Sequence, residues 1–279
     1  MSRTAACTCP RCRVSSPVSA LTWCCPRCRG PWDLDFASEP VSLPSLASRV
    51  NSLWRYTEAL PPLPCAPEET LGEGRTPLVP LTASVSAELD FLMPTLSFKD
   101  RGAAVLAAHA LRLARAGGLD RVVGDSSGNA GTAAAAYCAR AGLACRVHVP
   151  GGTSPKKAEQ IRAHGAEVVE VPGDREAFHA GADDIAGPAA ARPTLAEGIA
   201  IPAPPRARQI LRAVRATGGT FLTVPEERIR AAQRDLARRG LFVEATGTAC
   251  RPAVDAAPPR PGLTVVPLCG AGAKTGLAP

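Results

Sequence analysis

The sequence predicts an α/β protein with a parallel sheet, preceded by a small cysteine-rich unit. Three observations carry this expectation. From about residue 102, helix-length patterns alternate with short β-branched runs, which is the rhythm of parallel βαβ units. Six of the eleven cysteines fall within residues 1–36. At 279 residues, with 46% hydrophobic and 20% charged, the chain can bury a substantial core.

Taken in order, residues 1–36 form the cysteine-rich unit, and Pro40 and Pro44 mark a linker. Leu46, Val50, Leu53 and Trp54 recur at helical spacing and predict one amphipathic helix, stopped by the prolines of residues 61–64. Helices follow at 103–116, closed by Gly117-Gly118, at 130–140, closed near Gly142, and at 154–164, with Ser154 as N-cap, Pro155 at the first position and Gly165 at the end. Strands are expected between them at 121–123, 145–149 and 167–171. Residues 187–205, rich in Pro, Ala and Gly, read as a loop or junction. A helix at 207–216, a strand at 220–223, a helix at 225–239 and a last strand at 263–268 complete the chain, the last running into Cys269-Gly270-Ala271-Gly272.

The net charge of +7 does not by itself indicate a nucleic-acid partner. The arginines are scattered through helices with acids among them, and no basic run is interleaved with aromatics, so a solvated basic surface is expected. The N-terminus has no apolar run of signal-peptide length, and no later run approaches a membrane span. A reducing cytoplasm, with thiols free or metal-bound, fits this usage of cysteine.

Two segments carry the chemistry. Leu96-Ser97-Phe98-Lys99-Asp100-Arg101 sets a lysine between an aromatic residue and an acid–base pair. Ser126-Ser127-Gly128-Asn129-Ala130-Gly131 is a hydroxyl- and glycine-rich turn between a strand and a helix. Only four of the 32 basic residues are lysines (Lys99, Lys156, Lys157 and Lys274). A lysine kept in so arginine-rich a chain points to a use for its amine, because only an amine forms a Schiff base. The turn, beyond the carboxyl end of a parallel strand, suits an anionic group such as a carboxylate. Taken alone, a lysine beside Asp100 also reads as a surface ion pair, and the turn as a helix cap.

Together with Gly72-Glu73-Gly74-Arg75-Thr76-Pro77-Leu78, these segments resemble the threonine-synthase-like members of the tryptophan-synthase-β-like family of pyridoxal-phosphate (PLP) enzymes. The resemblance extends over residues 137–142, 154–175, 196–201 and 265–274. It implies PLP fold type II, with two α/β subdomains of which one is truncated. The implied organisation is a zinc ribbon at 1–36 and a catalytic domain at 37–279. It also implies a carbon–oxygen lyase acting on phosphates, which converts O-phosphohomoserine to threonine in amino-acid biosynthesis. Serine/threonine dehydratases and cysteate synthase share much of the machinery. By the resemblance, Lys99 holds PLP and shuttles protons, Phe98 lies near the ring, Asn129 bonds the ring oxygen, and Cys269 faces the pyridine nitrogen. Ser126, Ser127, Gly128 and Ala130 clasp the substrate carboxylate. A small amino-acid substrate and a homodimer are the expected partners, without nucleic acid or membrane.

The sequence departs from the family before residues 196–198. The family's glycine-rich loop that cups the PLP phosphate has no counterpart there, so an internal deletion near 185–195 and an impaired paralogue are expected alternatives. A dianionic phosphate without backbone donors binds poorly.

At the N-terminus, Cys9-Pro10-Arg11-Cys12 and Cys25-Pro26-Arg27-Cys28 give two CxxC pairs separated by twelve residues. Each pair can form a knuckle, and two knuckles complete a tetrahedral S4 set for a structural zinc ion. Cys7 and Cys24 are substitute ligands or bystanders, and a zinc-ribbon nucleic-acid binder is the less favoured reading. Cys138, Cys145 and Cys250 read as small core residues. His109, His148, His164 and His179 lack ligand or triad spacing and read as packing or surface residues. Glu226 and Glu227 suit the first turn of a helix.

Overall fold

The computed structural model describes residues 5–19, 23–62, 69–126, 128–151, 153, 155–172, 194–201, 204–258 and 261–278. The N-terminal elements are β1 (Ala5–Thr8), β2 (Ser15–Pro17), β3 (Asp33–Phe36) and α1 (Leu43–Leu46). Next come β4 (Leu78–Pro80), β5 (Val85–Glu88), α2 (Lys99–Arg115), β6 (Arg121–Asp125), α3 (Asn129–Arg140), β7 (Ala144–Pro150), α4 (Pro155–Ala163) and β8 (Glu167–Val171). The C-terminal part holds α5 (Ala207–Ala216), α6 (Glu226–Arg238), α7 (Ala245–Thr248), α8 (Cys250–Ala256) and β9 (Thr264–Pro267). Two units emerge: residues 1–75 with 99–183, and residues 76–98 with 184–279.

In the first unit, β2-β1-β3 form an antiparallel sheet. Its small core is Cys7, Cys9, Cys25 and Trp32, with Val14 and Val18 packed alongside. The single helix expected through Leu46 and Trp54 does not form. α1 stops at Leu46, and a separate 3-10 turn begins at Leu53. The break lies at Ser52, which is extended and whose hydroxyl accepts the Trp54 N–H at 3.3 Å, so it caps a new turn instead of continuing an old one. Leu46 and Leu53 are buried, whereas Val50 is 74% exposed.

The parallel sheet β6-β7-β8 carries the predicted βαβ rhythm. The expected helices at 103–116 and 130–140 and the strands at 121–123, 145–149 and 167–171 all form, with β8 matching its expected bounds. α2 starts earlier, at Lys99, and α4 runs Pro155–Ala163; its expected cap, Ser154, lies outside the described residues. Alanine faces let α2 and α3 approach closely. Ala103, Ala104 and Ala107 cluster with Ala133, Ala136 and Tyr137. On α3, Ala135 and Cys138 pack instead with Cys145, Val147 and Val149 of the sheet and Ile161 of α4. Cys138 and Cys145 are the small core residues expected. The Cys145 sulfur beside it and burial both push the Cys138 thiol up, which makes it a poor nucleophile.

The second unit has a mixed sheet in which β5 pairs antiparallel with β4 and parallel with β9. Val85, Ala87, Leu89, Leu236, Val243, Val266 and Leu268 form its core, with Cys250 half-buried beside them. The expected helices at 207–216 and 225–239 form as α5 and α6, Pro225 being the N-cap of the latter. Glu226 and Glu227 sit in its first turn, and Glu226 Oε2 also accepts the Leu195 N–H at 2.8 Å. The expected strand at 220–223 does not form. No neighbouring strand pairs with it among the described residues, and Phe221 stays 61% exposed. A strand is stabilised by its ladder, and propensity without a partner is not enough. The expected deletion site and the phosphate-loop region fall largely on residues 173–193, outside the described residues, as does His179. No helix of the described residues is long and apolar enough to cross a membrane.

His109 on α2 has both ring nitrogens buried with no hydrogen-bond partner among the described residues. Burial, and then the nearby Arg112 charge, hold its pKa below the usual histidine range. Below the unfolded-state value of about 6.5 the unfolded chain therefore binds a proton that the folded chain resists, so this residue's contribution makes stability fall as pH drops. His109→Leu should lose less thermal stability than the wild type between pH 7.5 and pH 5.5; equal acid sensitivity of the two proteins would refute this.

Candidate active site and metal centre

The segment leading to Lys99 is fixed by backbone pairing in the second unit. Leu96 N–H donates to Met93 O at 2.7 Å and Ala271 N–H to Leu96 O at 3.0 Å, while Ser97 bridges Gly270. Phe98 N–H donates to Cys269 O at 2.9 Å, which brings these two predicted site residues together. The buried Lys274 donates to Thr95 O. Leu96 is held at φ 62, an uncommon conformation for a branched side chain that these flanking bonds maintain. Behind Cys269, a Cβ on Gly270 would lie 2.3 Å from Glu244 Oε1, and Glu244 N–H donates to Gly270 O at 2.9 Å. Ser97 is fully buried, and its hydroxyl has no partner among the described residues.

In the first unit, Lys99 opens α2 with an exposed side chain, and its neighbour Asp100 is fully buried. Asn129 opens α3, whose N-cap Gly128 supplies no side-chain cap. Ser126 ties the turn to the sheet: its N–H donates to His148 O at 2.9 Å and its hydroxyl accepts the Gly128 N–H at 3.3 Å. Open space faces Gly128, and Ala130 is exposed. The amides of the first turn of α3, uncapped by any side chain of Gly128, suit a carboxylate. Ser127 lies outside the described residues. An exposed lysine amine, an amide side chain and a helix start open to an anion are donors that fit PLP and an amino-acid substrate.

Beside Lys99 lies a buried polar network that motif reading alone does not single out. Glu73 is fully buried, and four groups donate to its carboxylate. Trp54 Nε1 reaches Oε1 at 2.6 Å; the Thr70 hydroxyl and Leu71 N–H, each at 2.9 Å, and the Tyr137 hydroxyl at 3.1 Å reach Oε2. Its carbonyl accepts the Leu53 N–H at 2.6 Å. Gly74, at φ 105, permits this approach, since a Cβ there would sit 2.6 Å from Leu53 N. The Tyr137 hydroxyl also lies beside the Asp100 carboxylate, so its single proton is shared between two acids, and burial, then the charges of Asp100 and Glu73, push its pKa far up. The available sequence signal is an acid flanked by two glycines, which marks a tight loop that inserts its side chain.

Cys9, Cys12, Cys25 and Cys28 come together as predicted, with all four sulfurs within 4.8 Å of one another. Cys9 and Cys28 sulfurs are 3.5 Å apart, and those of Cys12 and Cys25 3.4 Å. A tetrahedral zinc ion with about 2.3 Å bonds needs sulfurs roughly 3.8 Å apart, so the cluster fits a metal ion of this kind. The string Cys-Pro-Arg-Cys-Arg occurs twice and folds alike both times: Arg13 N–H donates to Cys9 O at 3.0 Å, and Arg29 N–H to Cys25 O at 2.8 Å. Burial opposes ionisation of Cys9, but the backbone N–H groups of Cys12 and Arg11 and the adjoining sulfurs outweigh it and lower the thiol to about 6. Neither Cys7 nor Cys24 joins the cluster.

Residues 69–188 match the family model described as pyridoxal-phosphate dependent enzyme. Part of the chain is also similar to threonine synthases. It is 40% identical to the enzyme of Halalkalibacterium halodurans over 136 residues, covering 44% of this chain and 37% of that one. It is 30% identical to that of Methanosarcina acetivorans over 177 residues, covering 60% and 42%. The matched region thus spans about two fifths of these relatives' length. The crystal structure of threonine synthase from Escherichia coli superposes with a TM-score of 0.62 at 15% identity, covering 86% of this chain and 82% of that one, and shares the fold. The expected threonine-synthase-like α/β fold of PLP type II is borne out.

Gly247→Ala should destabilise the protein by about 1–3 kcal/mol, because the added methyl would lie 2.8 Å from the Cys269 backbone nitrogen. Urea unfolding of the two proteins measures this, and an unchanged midpoint would contradict the close packing.

Proposed function

We propose that the chain is a threonine-synthase-type lyase that converts O-phosphohomoserine to threonine, expelling phosphate and adding water. The observation that carries this reading is Lys99 opening α2 inside the segment that matches PLP enzymes and threonine synthases. Bound PLP would supply the electron sink for the reaction. Lys99 would hold the cofactor through its Nζ and move the proton at the substrate Cα. Asn129 would donate its amide to the ring oxygen. Phe98 would lie against the ring, and the Cys269 thiol would face the pyridine nitrogen as a weak donor. Ser126, Ser127, Gly128 and Ala130 would orient the substrate carboxylate at the start of α3. At the N-terminus, Cys9, Cys12, Cys25 and Cys28 would hold a structural zinc ion as thiolates, apart from the chemistry.

A second reading, a catalytically impaired paralogue, is favoured by one sequence observation. Between Pro172 and Gly198 the glycines (Gly173, Gly181 and Gly187) are isolated, with no glycine-rich run to cup a phosphate.

The two readings separate in one experiment. Purified protein mixed with PLP should develop a near-visible absorbance band that is absent in Lys99→Ala, and should release phosphate from O-phosphohomoserine with formation of threonine. A band without turnover supports the paralogue, and no band in the wild type rejects the enzyme. Metal analysis should find one zinc per chain, lost in Cys25→Ser together with order in residues 5–36; a metal-free, folded N-terminus would reject the zinc assignment.

A further inference from the structure

The first turn of a helix lacks half of its backbone hydrogen bonds and is its least constrained part. Lys99 stands at that point of α2 with its side chain exposed. Placement of its amine therefore depends on what fixes the adjacent turn. The next residue, Asp100, is fully buried beside the Tyr137 hydroxyl, whose single proton it shares with Glu73. Tyr137, itself fully buried in the third turn of α3, donates to Glu73 at 3.1 Å. Glu73 is pinned in turn by Trp54, Thr70 and Leu71, and through its carbonyl by Leu53. The 3-10 turn at Leu53–Ala59, the Gly72–Gly74 loop and α3 thus converge by hydrogen bonds on Glu73, and Tyr137 connects it to the residue beside Lys99, all within one unit of the fold.

We propose that Glu73 and Tyr137 are positioning residues for Lys99, acting through Asp100. This rests on Lys99 being the lysine that holds PLP. A packed helix contact alone would tolerate sliding of α2 along the alanine face, since methyl contacts are non-directional. A hydrogen bond to a tyrosine that is itself oriented by a fixed carboxylate is directional, and it sets the register of the turn as well as its distance. Small displacements of a reacting group are costly: misplacement by about 1 Å can lose 100-fold in rate.

Tyr137→Phe keeps the ring and removes the hydroxyl. It should weaken PLP binding, followed by absorbance titration, about tenfold, and reduce borohydride trapping of PLP at Lys99, mapped by peptide mass, in proportion. Turnover should fall chiefly in kcat, with KM for O-phosphohomoserine nearly unchanged. Val85→Ala, a core truncation on β5 in the second unit, serves as the control for stability. Its melting temperature should drop while its PLP affinity and Lys99 trapping stay within about twofold of wild type, as expected for independent sites. Thr70→Val removes one of the four donors to Glu73 and should give a smaller loss of the same kind, which keeps the test open should Tyr137→Phe not fold. If a folded Tyr137→Phe or Thr70→Val binds and traps PLP like the wild type, or only in step with the stability control, the positioning role is overturned while the assignment of Lys99 stands. If the wild type itself traps no PLP at Lys99, the assignment falls and the proposal with it.

Discussion

A carboxylate buried away from water is the constraint around which much of the first unit is organised. Moving such a charge into the interior costs several kcal/mol even after relaxation. Glu73 is fully buried, so that cost has to be offset locally. Four donors do so, drawn from the 3-10 turn that begins at Leu53, the loop before Glu73, and α3. Because leaving a buried polar group unsatisfied costs about 1–3 kcal/mol, each donor is held to its place as firmly as it holds the carboxylate. The loop can bring Glu73 inward only because Gly72 and Gly74 adopt positive φ, at 82 and 105. Local backbone chemistry, a charge and the packing of two helices are therefore one interlocking requirement.

The alanine-rich helices show a complementary strategy. α2 and α3 present methyl groups to each other, which permits close approach but gives little orientational preference. Polar contacts at Tyr137 supply the orientation that the methyls lack. The metal-type cluster works similarly at small scale. Among the described residues, the three-stranded sheet of the N-terminus has Cys7, Cys9, Cys25 and Trp32 as its buried core, too little apolar area to order such a segment unaided.

How much of this was legible in the sequence depended on whether the signal was local. The strand at 167–171 and the helix at 207–216 were read to their bounds, because β-branched runs and helical spacing are properties of a few adjacent residues. The CxxC pairs were legible because ligand spacing encodes geometry directly. The helix expected through Leu46 and Trp54 failed because a single hydroxyl, Ser52, captured the Trp54 N–H and outweighed hydrophobic spacing. The strand expected at 220–223 failed because strand formation is settled by a partner elsewhere in the chain. β4 and β5, short and flanking a turn, carried too weak a pattern to be read. Among the candidate site residues, the sequence placed Lys99 and Asn129 just before helices that in fact begin with them, and the pairing of Phe98 with Cys269 emerged only in three dimensions. The Glu73–Tyr137 pair, 64 positions apart, is a long-range contact that no local pattern announces.

The division of the chain has a kinetic consequence. Residues 76–98 belong to one unit while the stretches on either side, 1–75 and 99–183, belong to the other. Neither unit is a continuous piece of polypeptide: the first needs no residue beyond 183, but the second is split by residues 99–183 and cannot be completed until the first has been made. Contacts that close such interleaved segments carry long loop-closure costs and slow the search for the native state. Between Phe98 and Lys99 the backbone passes from one unit to the other. The lysine on which the proposed chemistry turns is therefore the first residue past a crossing, and the network beside it can form before the second unit is complete.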